Sequence, residues 1–191
     1  MIKKEESMSK SYVFFADGFE EIEALTAVDV LRRAGMSVVT VSINSTLEVT
    51  GAHDVTVKAD TKVSDVDLHD AQWLVLPGGM PGATNLANCE AVCRALKAQN
   101  DKGGGIAAIC ASPSVVFGPL GLLEGKKAVC YPGMEAGMEG AVVGDGQVAV
   151  DGNIITGNGP AAATAFALAI AEAAQGKDAA NAVAGGMLYM G

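Results

Sequence analysis

An apolar run, Gly105-Ile-Ala-Ala-Ile109, halts at Cys110 and resumes only beyond Ser112-Pro113, and few folds make use of such a segment. Four apolar residues after a glycine suit a short, fully buried strand. Ser112 before Pro113 has the signature of a helix N-cap followed by proline in the first turn. Cys110 is therefore predicted on the turn between strand and helix. Small residues on both sides, Ala108 and Ser112, give the small-x-nucleophile-x-small spacing that a nucleophile elbow needs to turn sharply without clashes. Amides at the start of the following helix would favour thiolate over thiol. A cysteine taken at random is more often a buried space-filler; the elbow context is what points to a reactive one.

The same strand-then-helix rhythm recurs along the chain. Ser11 to Ala16 is apolar and ends at Asp17-Gly18. A helix is expected from about Glu20 to Ala34, closed by Gly35 with Arg32 and Arg33 in its last turn, and then a strand from Met36 to Ile43. Val49-Thr-Gly51 and Val55-Thr-Val-Lys58 read as edge strands or a hairpin excursion. Trp73 to Leu76 is a third buried strand running into Pro77-Gly-Gly-Met-Pro-Gly82, a loop of little bulk whose N–H groups can approach a ligand closely. Between Asn88 and Asn100, Cys89, Val92, Cys93 and Leu96 form a helical stripe. This makes the two cysteines core-facing rather than metal ligands, and no zinc-type spacing exists elsewhere. Lys127 to Cys130 reads as a short strand. Gln147 to Val150 and Asn153 to Ile155 flank a hairpin turn placed at Asp151-Gly152. An alanine-rich helix follows Gly157-Asn-Gly-Pro160 to about Ala174, and a last helix covers Lys177 to Tyr189. Alternation of this kind predicts an α/β fold: an open, mostly parallel sheet with helices on both faces and ligands at the carboxyl ends of the strands.

Residues 1–10 are charged and read as a flexible segment, leaving 11–191 as one domain. The first ten residues lack the apolar stretch of a signal peptide, and Ala161 to Ala174 is too short to span a bilayer, so a cytoplasmic protein with reduced thiols is expected. A formal charge of −9, from 22 acidic against 13 basic residues, argues against nucleic acid or a membrane surface as partner.

Three features fall at predicted strand ends: the acidic turn after Asp17, the glycine-rich loop after Leu76, and Cys110. Within the first helix Glu23 shares a face with Ala27, Val30 and Ala34, so it is expected to be partly buried, with a raised pKa, and able to exchange protons beside the thiol. Glu20 and Glu21 lie off that stripe and are read as complementing the helix dipole.

The stretches Asp17-Gly-Phe-Glu-Glu-Ile-Glu-Ala24, Leu76-Pro-Gly-Gly-Met-Pro-Gly-Ala83, Ala107-Ala-Ile-Cys-Ala-Ser-Pro113 and Gly157-Asn-Gly-Pro160 resemble, in order and spacing, the DJ-type branch of the ThiJ/PfpI superfamily. The resemblance implies a flavodoxin-like doubly wound sandwich, a homodimer, and no cofactor. It also implies Cys110 as an oxidation-prone nucleophile, Glu23 as its protonated partner, and an oxyanion site from the amides of Gly78, Gly79 and Ala111. Activities attributed to the family are conversion of methylglyoxal to lactate, removal of early glycation adducts, redox sensing and chaperoning. Substrates would thus be small aldehydes or glycated groups. Two departures stand out. Tyr131-Pro132 occupies a place where many members carry a histidine before the proline, so Tyr131 and Glu135 become the positional substitutes. Ala111, where the protease-like branch has histidine, counts against a peptidase. The only histidines, His53 and His69, precede Cys110, which excludes a late His-x-Glu amidotransferase triad; His53 falls at a family position near the pocket mouth.

Overall fold

Period-two alternation in the first strand sets the layering. The computed structural model describes residues 9–190, and its strand β1 (Lys10–Phe15) sends Val13 and Phe15 to one face and Tyr12 and Phe14 to the other. A sheet with both faces apolar must be covered twice. On the first face lie α1 (Glu21–Arg33), α4 (Ala163–Gln175) and, outside these, α5 (Lys177–Gly186). On the second lie α2 (Gly82–Ala87) and α3 (Glu90–Asp101).

The remaining strands are β2 (Ser37–Ser42), β3 (Glu48–Thr50), β4 (Thr56–Lys58), β5 (Thr61–Lys62), β6 (Trp73–Leu76), β7 (Gly105–Ile109), β8 (Lys127–Ala128), β9 (Val142–Val143), β10 (Val148–Asp151) and β11 (Ile154–Gly157). The main sheet runs β10-β11-β7-β6-β1-β2-β5. Every pairing in it is parallel except β10 with β11 at one edge. Its central strands β6 and β7 are buried throughout, as strands covered on both faces should be. No helix among the described residues is long and apolar enough to cross a membrane.

Of the two readings of the excursion after β2, the hairpin holds, β3 pairing antiparallel with β4. Other expectations shift. Lys127 and Ala128 leave the main sheet and pair with β9 in a separate two-stranded sheet. The turn between β10 and β11 is Gly152-Asn153, one residue later than read, because Asp151 pairs directly with Ile154 and Gly152 takes φ +61°. The short helix α2 was missed, its glycine start resembling more loop. The flexible segment read over 1–10 lies, for residues 1–8, outside the described residues, and Lys10 already belongs to β1.

Gly105 opens β7 against the indole of Trp73, and a Cβ there would come within 2.4 Å of the ring. The indole is part of a packed core and has no free direction in which to yield. Gly105→Ala should therefore lower unfolding free energy in urea by about 1–3 kcal/mol through overpacking; an unchanged midpoint would show that the indole relocates freely.

Candidate active site

Cys110 leaves β7 with φ +63°, a left-handed conformation that costs a non-glycine residue roughly 1–3 kcal/mol. Hydrogen bonds on both sides hold it there. Its N–H donates to Gly157 O at 2.9 Å, and its carbonyl accepts from Tyr131 N–H at 2.8 Å. The sharp turn read from the sequence is present, but its cap is not. Ser112 has helical backbone angles, and its hydroxyl donates to Pro77 O at 2.5 Å, tying the elbow to the glycine-rich loop. Residues 113–117 then form a widened π-type turn, with Gly118 N–H donating to Pro113 O at 2.9 Å.

The glycine-rich loop is as close to the elbow as backbone permits. A Cβ on Gly78 would stand 2.6 Å from Cys110 Cβ and 2.9 Å from Glu23 Oε2. Gly79, at φ +88°, would place one 2.4 Å from Glu20 N. Gly78 N–H donates to Glu23 Oε2 at 2.7 Å. This spends one of the three amides expected to hold an oxyanion, while the amides of Gly79 and Ala111 lie near enough to the Cys110 thiol to pull its pKa down. Three expected donors become two.

Glu23 is 1% exposed, and its Oε1 is buried without a partner in hydrogen-bond geometry. Burial pushes this carboxyl up to about 7, against the Gly78 amide and the hydrogen bond to Cys110, which pull it down. Burial, then the charge of Glu23 and its hydrogen bond, push the Cys110 thiol up to about 12, against the amides of Gly79 and Ala111. The thiol stands high while Glu23 is ionised, whereas the expectation that amides lower it is tied to a protonated Glu23. Two of the three upward causes vanish once Glu23 holds a proton, so the pair is built to carry one negative charge between them.

The other two glutamates stand at the start of α1, where they complement its dipole as expected, but they are not solvated. Both are buried, at 7% for Glu20 and 8% for Glu21. Glu20 caps α1, accepting from Glu23 N–H at 2.7 Å. Glu21 accepts from the His53 amide and ring Nδ1, each at 2.7 Å, fastening the β3–β4 hairpin over the start of α1. Burial raises Glu21, but the His53 hydrogen bonds outweigh it and hold its carboxyl below the usual range; His53 is raised in turn. Glu20, Glu21 and His53 bring ligand-type atoms within 4.8 Å of one another, but the hydrogen bonds just described already occupy them. Nothing in local sequence signals this clasp, since its halves are 32 residues apart.

Tyr131 sits beside the elbow, half-exposed, its ring near Gly159. Glu135 turns away: it accepts from Gly133 N–H at 3.0 Å and lines a separate cleft with Cys130, whose thiol burial and Glu135 raise to about 11.

A doubly wound sheet with a strained cysteine elbow beside a buried carboxyl defines a small class of α/β proteins. Residues 9–173 match the DJ-1/PfpI family, and the chain belongs to it. It is 40% identical over 184 residues to Drosophila melanogaster protein dj-1beta, covering 95% of this chain and 98% of that protein. It is 33% identical over 165 residues to the Caenorhabditis elegans glutathione-independent glyoxalase DJR-1.2, covering 86% and 87%. The chain spans only 41% and 42% of the lengths of Arabidopsis thaliana DJ-1 homologs B and A. Oxidized Toxoplasma gondii DJ-1 superposes with a TM-score of 0.92 at 40% identity, covering 96% of this chain and all of that one, which confirms the flavodoxin-like fold.

The carboxyl of Glu23 titrates near 7 in the fold against an ordinary 4.5. The unfolded chain therefore releases this proton first as pH rises, and its contribution to stability, full below 4.5, is lost by the time pH passes 7, a fall of about 3 kcal/mol. The difference in unfolding free energy between wild type and Glu23→Gln should decline by that amount between pH 4.5 and 7.5. A flat difference would mean that Glu23 is not held protonated.

Proposed function

We propose that this protein is a cofactor-independent enzyme of the cytoplasm acting on small reactive dicarbonyls or early glycation adducts, with Cys110 as nucleophile and Glu23 as proton carrier. The observation that carries the reading is the buried pair itself: one charge shared between a thiol on a strained elbow and a carboxyl with an unsatisfied oxygen. In the state with Glu23 protonated, the Cys110 thiolate adds to the aldehyde carbon of methylglyoxal. The Gly79 and Ala111 amides that had faced sulfur shift their donation to the oxygen, which takes up a proton to give a hemithioacetal. Glu23, now a carboxylate, removes the C1 hydrogen; the electron pair passes through an enediol and a proton returns to C2, leaving a lactoyl thioester. Water cleaves that thioester, releasing lactate and restoring the thiol, so that methylglyoxal plus water gives lactic acid with no net redox change. The name of the nematode relative, a glyoxalase independent of glutathione, agrees with this chemistry.

Tyr131, whose amide donates to the Cys110 carbonyl, is assigned contact with the bound carbonyl, and its phenol in place of an imidazole predicts slow turnover. His53, fixed by Glu21 near the acidic turn, suits an anionic substrate, whereas the position of Glu135 supports no role at Cys110. A homodimer and the absence of a nucleic-acid or membrane partner belong to the same reading. A second reading, without turnover, has Cys110 oxidised by peroxide to a sulfinate held by protonated Glu23; the oxidized Toxoplasma protein favours keeping it.

Lactate formation from methylglyoxal separates the two. Cys110→Ala should lower kcat/KM by at least about a hundredfold, Glu23→Gln should lower kcat while leaving thiol alkylation largely intact, and Tyr131→His should raise turnover. Equal lactate production by wild type and Cys110→Ala would end the enzyme reading. Brief exposure to dilute peroxide followed by site-resolved mass spectrometry should find Cys110 oxidised ahead of Cys89, Cys93 and Cys130; uniform oxidation of the four would remove the basis of both readings.

A further inference from the structure

Away from Cys110, the segment from Val63 to Gln72 and helix α3 enclose a groove of about 360 Å³, within the range of small-molecule sites. It lies toward the start of β7, near Gly105, whereas Cys110 stands beyond the other end of that strand. Its floor is apolar and only half covered: Val63, Val66, Leu68 and Ala95 pack against the second core cluster yet remain partly exposed. Its rim carries two permanent cations, Arg94 and Lys102, beside His69, whose ring pairs with Asp70, and Asp67, the one acid lining it.

The charges on that rim are arranged for an anion. Lys102 makes no ion pair among the described residues; its ammonium donates to the His69 carbonyl. Arg94 has one exposed partner, Glu90, a turn earlier on the same helix, which leaves most of its guanidinium donors free. Asp67 spends Oδ1 on the His69 amide at 2.9 Å. The outer wall is also preformed. Gln99 donates from Nε2 to Ala71 O at 2.9 Å and Gln72 O at 3.2 Å, and Tyr12 donates its hydroxyl to Asp67 O at 3.2 Å, so the segment is pinned to α3 and to the sheet. A rigid apolar trough with a cationic edge fits one chemistry best.

We propose that this groove binds a small amphipathic carboxylate, its apolar body along Val66, Leu68 and Ala95 and its carboxylate between Lys102 and Arg94. The charged rim supplies orientation, and burial of the tail supplies most of the affinity. Occupancy here requires nothing of Cys110, so this site stands or falls independently of the dicarbonyl reading.

Octanoate is the probe, with octanol as its uncharged counterpart, added to the full-length isotope-labelled protein and followed by amide chemical shifts. Octanoate should shift residues 63–72 and α3 saturably, octanol should bind at least about tenfold more weakly, and prior alkylation of Cys110 should change neither result. Lys102→Met should weaken octanoate roughly fivefold, and Ala98→Trp, which fills the groove from an exposed position, should abolish binding. The proposal is overturned by equal affinity for the two probes, by shifts that never saturate or that centre on Cys110, or by line broadening that reveals a second copy of the chain occupying the groove.

Discussion

The structure around Cys110 depends on a carboxyl placed where a carboxylate is expensive. Glu23 is on the core-facing side of α1, and the nearest fixed dipole is the Gly78 amide. One backbone hydrogen bond stabilises a buried carboxylate far less than the several amides that drive such groups to low pKa, so desolvation wins and the proton stays to near neutral pH. Everything nearby serves to keep that carboxyl and the thiol in contact. Gly78 has no side chain because one would strike both. Glu20 caps α1 at the Glu23 amide, fixing where the helix begins and hence where Glu23 points. Ser112 draws the elbow to the loop through Pro77.

Holding these groups together lowers stability locally in three ways: a strained φ at Cys110, a buried oxygen without a partner, and a desolvated ionisable pair. Each amounts to roughly 1–3 kcal/mol, a sizeable share of the 5–15 kcal/mol by which domains are usually stable. The compensating stability lies in the fully buried strands β6 and β7 and in Phe14, Phe15, Phe19, Phe117 and Phe166, each 2% exposed or less. A close-packed sheet can sustain a strained turn at the carboxyl end of β7 because ladders buried on both faces leave that turn little room to relax. Phe19 stacks on Phe15, 4.9 Å between ring centroids, so the acidic turn that carries Glu20 to Glu23 is itself anchored on the core.

Much of this was legible in the chain because it is encoded locally. The elbow follows from small residues around Cys110, α1 ends at Gly35 with φ +78° as its glycine required, and the apolar runs give the parallel strands. The burial of Glu23 was legible from helical phase alone. What escaped depends on distant partners. Glu20 and Glu21 are off the apolar stripe, yet both are buried, because a hairpin from another part of the chain folds over them. Ser112 has the composition of an N-cap, but its backbone is already helical, so its oxygen caps no amide, and its hydroxyl donates to a carbonyl 35 residues away. Gly78 was read as a free donor because no sequence signal says which acceptor a loop amide will meet.

The pairing of Glu21 with His53 has a consequence for the acidic turn as a whole. Three glutamates within four residues repel one another, and at a helix N-terminus the dipole offsets only a part of that repulsion. Here each carboxyl has a different answer: Glu20 takes a backbone amide, Glu21 takes a histidine amide and ring, and Glu23 keeps its proton. The arrangement around Glu21 favours the charged form and that around Glu23 the neutral form, and the charge on Glu20 is among the causes that raise Glu23. An acidic run that looks redundant in sequence thus divides into a helix cap, a hairpin clasp and a carboxyl with a raised pKa. That division, more than any single residue type, sets Glu23 apart from its neighbours as the carboxyl that burial pushes toward its neutral form beside Cys110.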